Sequence, residues 1–78
     1  MKTNDLKKGM RIQLANGCYG TMADNMKGNT RMVEVEGIYT ETGGVYSHDI
    51  IWFVDVVSGA CTRIEHTQAQ LKLKQMVG

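Results

Sequence analysis

Met10-Arg11-Ile12-Gln13-Leu14-Ala15-Asn16-Gly17-Cys18-Tyr19-Gly20-Thr21-Met22 decides the fold. Met10 to Leu14 alternates apolar and polar residues, the period of two that half-buries a strand. Asn16-Gly17 is the strongest short-range signal for a two-residue type I′ hairpin, whose two central positions both need positive φ. Cys18 to Ala23 is then the return strand, with Tyr19 and Met22 on opposite faces. The stretch predicts an antiparallel hairpin.

Working toward the C-terminus, Asp24 to Thr30 is rich in turn formers and reads as a loop. Arg31-Met32-Val33-Glu34-Val35-Glu36 alternates again, with Val33 and Val35 facing in and both glutamates facing out; the strand can run on through Ile38 and Tyr39. Glu41-Thr42-Gly43-Gly44 reads as a turn, the paired glycines suiting positive φ. Val45 to His48 predicts a short strand, Ile50 to Val57 a longer one, and Cys61 to Glu65 a strand returning after a tight turn at Ser58-Gly59. Consecutive strands joined by tight turns make an antiparallel meander.

Thr67-Gln68-Ala69-Gln70 has the spacing of a capping box. Ala69, Leu73 and Met76 recur on one face of a short helix at about 67–76, with Lys72 and Lys74 toward its C-terminus, where positive charge suits the helix dipole. So short a helix cannot hold alone in water and is expected to dock on the sheet, closing one open end of a barrel. The predicted fold class is mainly β: a small, partly open antiparallel SH3-like barrel of five to six strands with a short C-terminal helix, in one domain spanning 1–78. Closure removes the exposed strand edges that invite aggregation.

Seventy-eight residues leave little interior for a water-excluding catalytic cavity, so a shallow surface is the natural place for function. The chain is 42% hydrophobic and 22% charged, with no proline, an ordinary globular composition. Its longest apolar run, Ile50 to Val54, is far short of a membrane span. Met1 to Lys8 lacks the apolar core of a signal peptide. These features predict a cytoplasmic protein that makes no membrane contact. In a reducing compartment Cys18 and Cys61 are expected as thiols, most simply as small core residues.

The net charge of +1 conceals an uneven layout. Residues 1–31 carry six basic side chains against two acidic ones, a net of +4, and residues 32–66 carry one against six, a net of −5. Such polarity can orient a partner.

Gly9 to Leu14, Asn16-Gly17 and Tyr19-Gly20-Thr21-Met22 together resemble the opening of SH3-like barrels of the bacterial KOW and Tudor type. Gly44-Val45-Tyr46-Ser47-His48-Asp49-Ile50 resembles their fourth strand and the turn into the last. The barrel resemblance covers residues 6–57. The whole chain is also similar, more broadly, to small uncharacterised proteins carried by phages and prophages of enteric bacteria. The resemblance implies a binding fold for nucleic acid or peptide segments, and fold alone does not choose between them.

Chemically, His48-Asp49 invites comparison with metal-dependent phosphohydrolases, but His66 is the only other histidine, and strand neighbours point to opposite faces. Cys18, Cys61, His48 and His66 lack the paired spacing of a structural zinc site. No catalytic residue, metal or cofactor is assigned. The loop 24–31 is the strongest candidate for binding: Lys27 and Arg31 supply charge, Asn25 and Asn29 amide donors, and Gly28 close backbone approach, a set suited to phosphate oxygens or an acidic peptide. Against it stands an ordinary solvated hairpin loop. Tyr19, Tyr39, Tyr46 and Trp52 are the large amphipathic side chains; Tyr19 and Tyr46 read as exposed stacking platforms and Trp52, within its apolar run, as core.

The first functional expectation is a non-catalytic binding or adaptor module that contacts nucleic acid through Lys8, Arg11, Lys27 and Arg31, with Asn25, Asn29 and Tyr19 or Tyr46. The alternative is a protein-interaction module, either a homodimer or an inhibitor of a host protein, using a strand edge or the acidic strand bearing Glu34 and Glu36. A hydrolase built on His48, Asp49 and His66 is a third and weaker reading.

Overall fold

A computed structural model describes residues 1–24, 30–37 and 41–77. Among these residues six strands, β1 (Arg11–Leu14), β2 (Tyr19–Asp24), β3 (Thr30–Val35), β4 (Glu41–Tyr46), β5 (Ile50–Val54) and β6 (Cys61–Arg63), precede one α-helix, α1 (Gln68–Val77). They form one antiparallel sheet in the order β4-β3-β2-β1-β5-β6. Short 3₁₀ turns, Thr3–Asp5 and Ser47–Asp49, lie before β1 and between β4 and β5.

That second turn dictates the shape of the sheet. β4 and β5 stand four strand steps apart, about 19 Å across a flat sheet. Yet three residues of 3₁₀ helix join them, advancing only about 2 Å each. The sheet must therefore curl until β4 comes round toward the far end of β1. A hydrogen bond from the Ala15 N–H to the Asp49 carbonyl, 2.8 Å, pins the turn to the β1–β2 hairpin. The result is a mainly β molecule, one open sheet compatible with a small, partly open barrel.

Inside the curl lie Leu6, Ile12, Leu14, Met22, Val33, Ile50 and Ile64, all buried. Ile12 and Leu14 alternate inward on β1, as Gly20 and Met22 do on β2. On β5 the alternation breaks: Gln13 pairs with Trp52 but Leu14 with Ile50, so Ile51 is the extra residue of a bulge. The bulge lets Ile50 reach the core while Trp52, two residues on, faces out.

Several local expectations give way to tertiary geometry. Gly17 has φ +89° and no described non-glycine residue, Asn16 included, has positive φ, so Asn16-Gly17 is not a type I′ turn. Residues 15–17 instead form a three-residue loop, with the Gly17 N–H on the Leu14 carbonyl at 3.0 Å and the Leu14 N–H on the Cys18 carbonyl at 2.8 Å, and glycine takes the left-handed position that closes such a loop. Residues 41–44 are not a turn: they begin β4, Glu41 pairing with Val35 and Gly44 with Met32. β4 stops at Tyr46, so His48 belongs to a 3₁₀ turn and not to a strand. β5 ends at Val54, and Asp55 Oδ1 accepts the Val57 and Ser58 N–H groups to shape the turn that follows. Residues 38–40 lie outside the described residues.

The capping box forms as the spacing predicts. Thr67 Oγ1 accepts the Gln70 N–H at 3.2 Å, and Gln70 Oε1 accepts the Thr67 N–H at 2.9 Å. The predicted docking does not follow. No residue of α1 is buried, and the helix meets the 3₁₀ turn 47–49 without inserting between strands. Ala69 and Met76 are exposed and Leu73 is half-buried, because the inner face of the sheet is already filled by strand residues and Leu6.

Two consequences can be measured. A methyl group on Gly20 would meet Val33 Cγ1 at 2.7 Å and the Glu34 carbonyl oxygen at 3.0 Å, so Gly20→Ala should lower stability by about 1–3 kcal/mol in denaturant titration. Thr67→Ala should cost α1 about 1 kcal/mol of local stability, visible as faster amide exchange in 68–77, while the unfolding midpoint of the sheet stays within error.

Candidate interaction face and the seam cleft

The outer face of the sheet is read directly from its register. Gln13 pairs with Tyr19 on one side and Trp52 on the other, and Trp52 pairs with Arg63. The neighbouring row holds Cys61, Val54, Arg11, Thr21 and Glu34. Since Ile12 and Met22 fill the inner positions, these two rows stand on the opposite side of the pleat.

Guanidinium groups cover both aromatic rings. The Arg11 guanidinium carbon lies 4.8 Å from the Tyr19 ring centroid and that of Arg63 lies 5.3 Å from Trp52, within cation–π range. Arg11 is also bidentate on Glu36, its Nη1 on Oε2 and its Nη2 on Oε1 at 3.3 Å. As both side chains are partly exposed, such a pair contributes about 0.2–1 kcal/mol at most; its effect is to hold the guanidinium over the ring. Arg11 pairs with Glu36, and with Arg63 and Glu34 the outer face carries two charges of each sign, so its formal charge cancels.

Tyr46 lies elsewhere. It is exposed, stacks on the buried His48 ring with centroids 5.1 Å apart and planes 10° from parallel, and borders a cleft of about 280 Å³ lined by Leu14, Ala15, Asn16, Gly44, Val45, Tyr46 and Asp49. This cleft is the seam where the curled sheet brings β4 toward the β1–β2 hairpin. His48 Nε2 is 3.7 Å from Asp49 Oδ1, and His48 Nδ1 is buried with no hydrogen-bond partner among the described residues. The two residues share one 3₁₀ turn, which corrects their expected placement on opposite strand faces.

Arg31 is the clearest departure from the expected binding cluster. It is only 2% exposed, on the same inner alternation as Val33. Its Nη2 donates to Asn4 Oδ1 at 2.8 Å and its Nη1 to the Thr30 carbonyl at 3.1 Å. Burial lowers its pKa from the ordinary arginine value by desolvation. Arg31 ties the N-terminal 3₁₀ turn to β3 and does not present itself to a ligand. The parity of Val33 and Val35 already put position 31 on the inner side; its charge argued the other way. Asn25, Lys27 and Asn29 lie outside the described residues. Lys8 is exposed in the turn before β1.

Of the expected residues, then, Arg11 and Tyr19 come together, Tyr46 borders a separate cleft, and Arg31 is internal. Trp52 and Arg63 complete the outer face. Trp52 is half-buried rather than core, and its apolar neighbours concealed this because the Ile51 bulge reverses the alternation. Cys61, expected as a core residue, is exposed, and Cys18 is partly buried against the core. His66 donates through Nε2 to the Ile50 carbonyl at 2.9 Å, a structural bond across the end of β5. Among the described residues no group of three or more His, Cys, Asp or Glu could hold a metal ion, and no helix is long and apolar enough to cross a membrane.

The inward role of Arg31 predicts energetic coupling with Asn4. A double-mutant cycle of Arg31→Met and Asn4→Ala, followed by urea unfolding, should give a coupling of about 1–2 kcal/mol; additive losses would leave the hydrogen bond without energetic weight. No protein-family model, no curated protein and no solved structure matches this chain.

Proposed function

We propose that this protein is a non-catalytic binding module that recognises another protein through the outer face of its sheet. The observation that carries the reading is the row Tyr19-Gln13-Trp52-Arg63, flanked by Arg11 and Val54. Tryptophan, tyrosine and arginine are the residues that dominate protein–protein affinity, because each combines a large apolar area with fixed polar groups. Here the arginines are held over the rings, so little side-chain entropy remains to be lost on association. Cancelled charge supports a protein partner over a phosphate backbone, which gains affinity from uncompensated cations.

A nucleic-acid reading draws support from one feature, aromatic rings beside guanidinium groups, a pairing that also stacks unpaired bases. The exposed Lys7 and Lys8 before β1 would supply phosphate contacts. The strand order, a meander followed by a return beside β1, supports the likeness to SH3-like barrels, and a phage-encoded origin belongs to the same proposal.

The two readings separate in one experiment. Native protein and the Trp52→Ala and Tyr19→Ala variants are titrated with a fluorescent oligothymidylate at several salt concentrations, and each is immobilised to capture partners from bacterial lysate. The protein reading expects no salt-dependent oligonucleotide binding and a discrete captured protein whose affinity falls at least about 30-fold in Trp52→Ala, in line with a 2 kcal/mol hot spot. Salt-dependent oligonucleotide binding lost in both variants would replace it with the nucleic-acid reading. Capture that is indifferent to Trp52 would remove the outer face from either.

A further inference from the structure

We propose that the seam cleft is a second binding site, which takes an extended peptide segment bearing a basic residue and adds it as a strand to β4. The site is independent of the outer face, and several observations converge on it.

β4 ends the sheet order, so its far edge has no strand partner among the described residues. It runs for six residues, Glu41–Tyr46, with no lysine, arginine or proline in it. Those are the devices by which edge strands ordinarily discourage pairing. The opposite edge, β6, is three residues long and carries Arg63, so it is blunted in the usual way.

At its centre β4 carries Gly43 and Gly44, and the isolated chain explains neither. Their φ values are not positive, and a Cβ at either position would meet nothing among the described residues within 4 Å. Glycine within a strand is destabilising relative to alanine. What glycine provides in a strand is close approach for a ligand or another backbone. Two in succession leave the centre of β4 without side chains on either face, so a backbone added alongside can approach there without meeting them.

The cleft supplies the rest of the site. Gly44, Val45 and Tyr46 form one wall; Leu14, Asn16 and Asp49 form the other. Backbone groups of β4 would give affinity, as in strand addition generally, and side-chain pockets would give selectivity. At about 280 Å³ the space is close to the lower limit for a ligand site, which suits a few residues of extended chain. Among the described residues Asp49 is the only formally charged one lining it, and its side chain is 44% exposed. A carboxylate in a groove whose other described lining residues are uncharged favours a lysine or arginine there.

The test is selection of displayed random decapeptides on the immobilised full chain. Enriched sequences should alternate apolar residues around at least one lysine or arginine. A synthetic copy of the most enriched peptide should lose about tenfold in affinity or more on Gly44→Lys and about fivefold on Asp49→Asn, and should bind Trp52→Ala as it binds the native chain. Circular dichroism establishes that each variant is folded; if Gly44→Lys is not, Asp49→Asn decides. Absence of enrichment, enrichment without a basic residue, or binding unchanged by these substitutions would overturn the proposal. So would a native dimer in sedimentation that Gly44→Lys disperses, since the edge would then belong to a second copy of this chain.

Discussion

Three residues, Ser47–Asp49, bridge two strands that stand four steps apart in the sheet order, and the rest of the molecule follows from that tether. A flat sheet cannot satisfy it. Curling brings Ile12, Leu14, Met22, Val33 and Ile50 onto one concave side, where burial of each large apolar side chain contributes about 1.5–3 kcal/mol. The same curling turns Tyr19, Trp52, Arg11 and Arg63 outward, and it leaves a seam where β4 approaches the β1–β2 hairpin. Core, outer face and cleft are three results of one short connection.

Polar chemistry is distributed accordingly. A guanidinium inside so small a molecule needs partners, because burying a charge without hydrogen bonds is costly; Arg31 finds them on Asn4 and the Thr30 carbonyl. Arg11 remains on the surface and is held between Tyr19 and Glu36. The N-terminal part is basic and the middle acidic in sequence, but the meander lays β3 two strands from β1, so Arg11 of the basic part meets Glu36 of the acidic part on the outer face.

Helix α1 shows the limit of local reasoning. Thr67 and Gln70 cap each other through contacts spanning three residues, and such contacts need nothing beyond the sequence around them. Docking depends on whether the sheet has unfilled apolar surface, and Leu6 together with the inward strand residues has already taken it. The helix consequently leaves Leu71, Met76 and Val77 exposed. The Asn16-Gly17 turn is a similar case. Glycine at position 17 was legible as a turn signal, whereas the choice of a three-residue loop depends on how β1 and β2 are held by their other neighbours.

By itself the sequence determined a meander of five to six antiparallel strands, the capped helix, and the placement of Tyr19 and Met22 on opposite faces, because alternation and capping are properties of residues a few positions apart. Alternation with Val33 and Val35 marks position 31 as inward, but only the tertiary structure decided which partners hold a guanidinium there, that Trp52 turns out, that residues 41–44 extend β4, and that Tyr46 borders a cleft with Leu14 and Asp49. Each of these depends on a bulge, a strand partner or the curl of the whole sheet. Such features arise from contacts between distant segments, and the order of residues along the chain carries no periodicity that marks them.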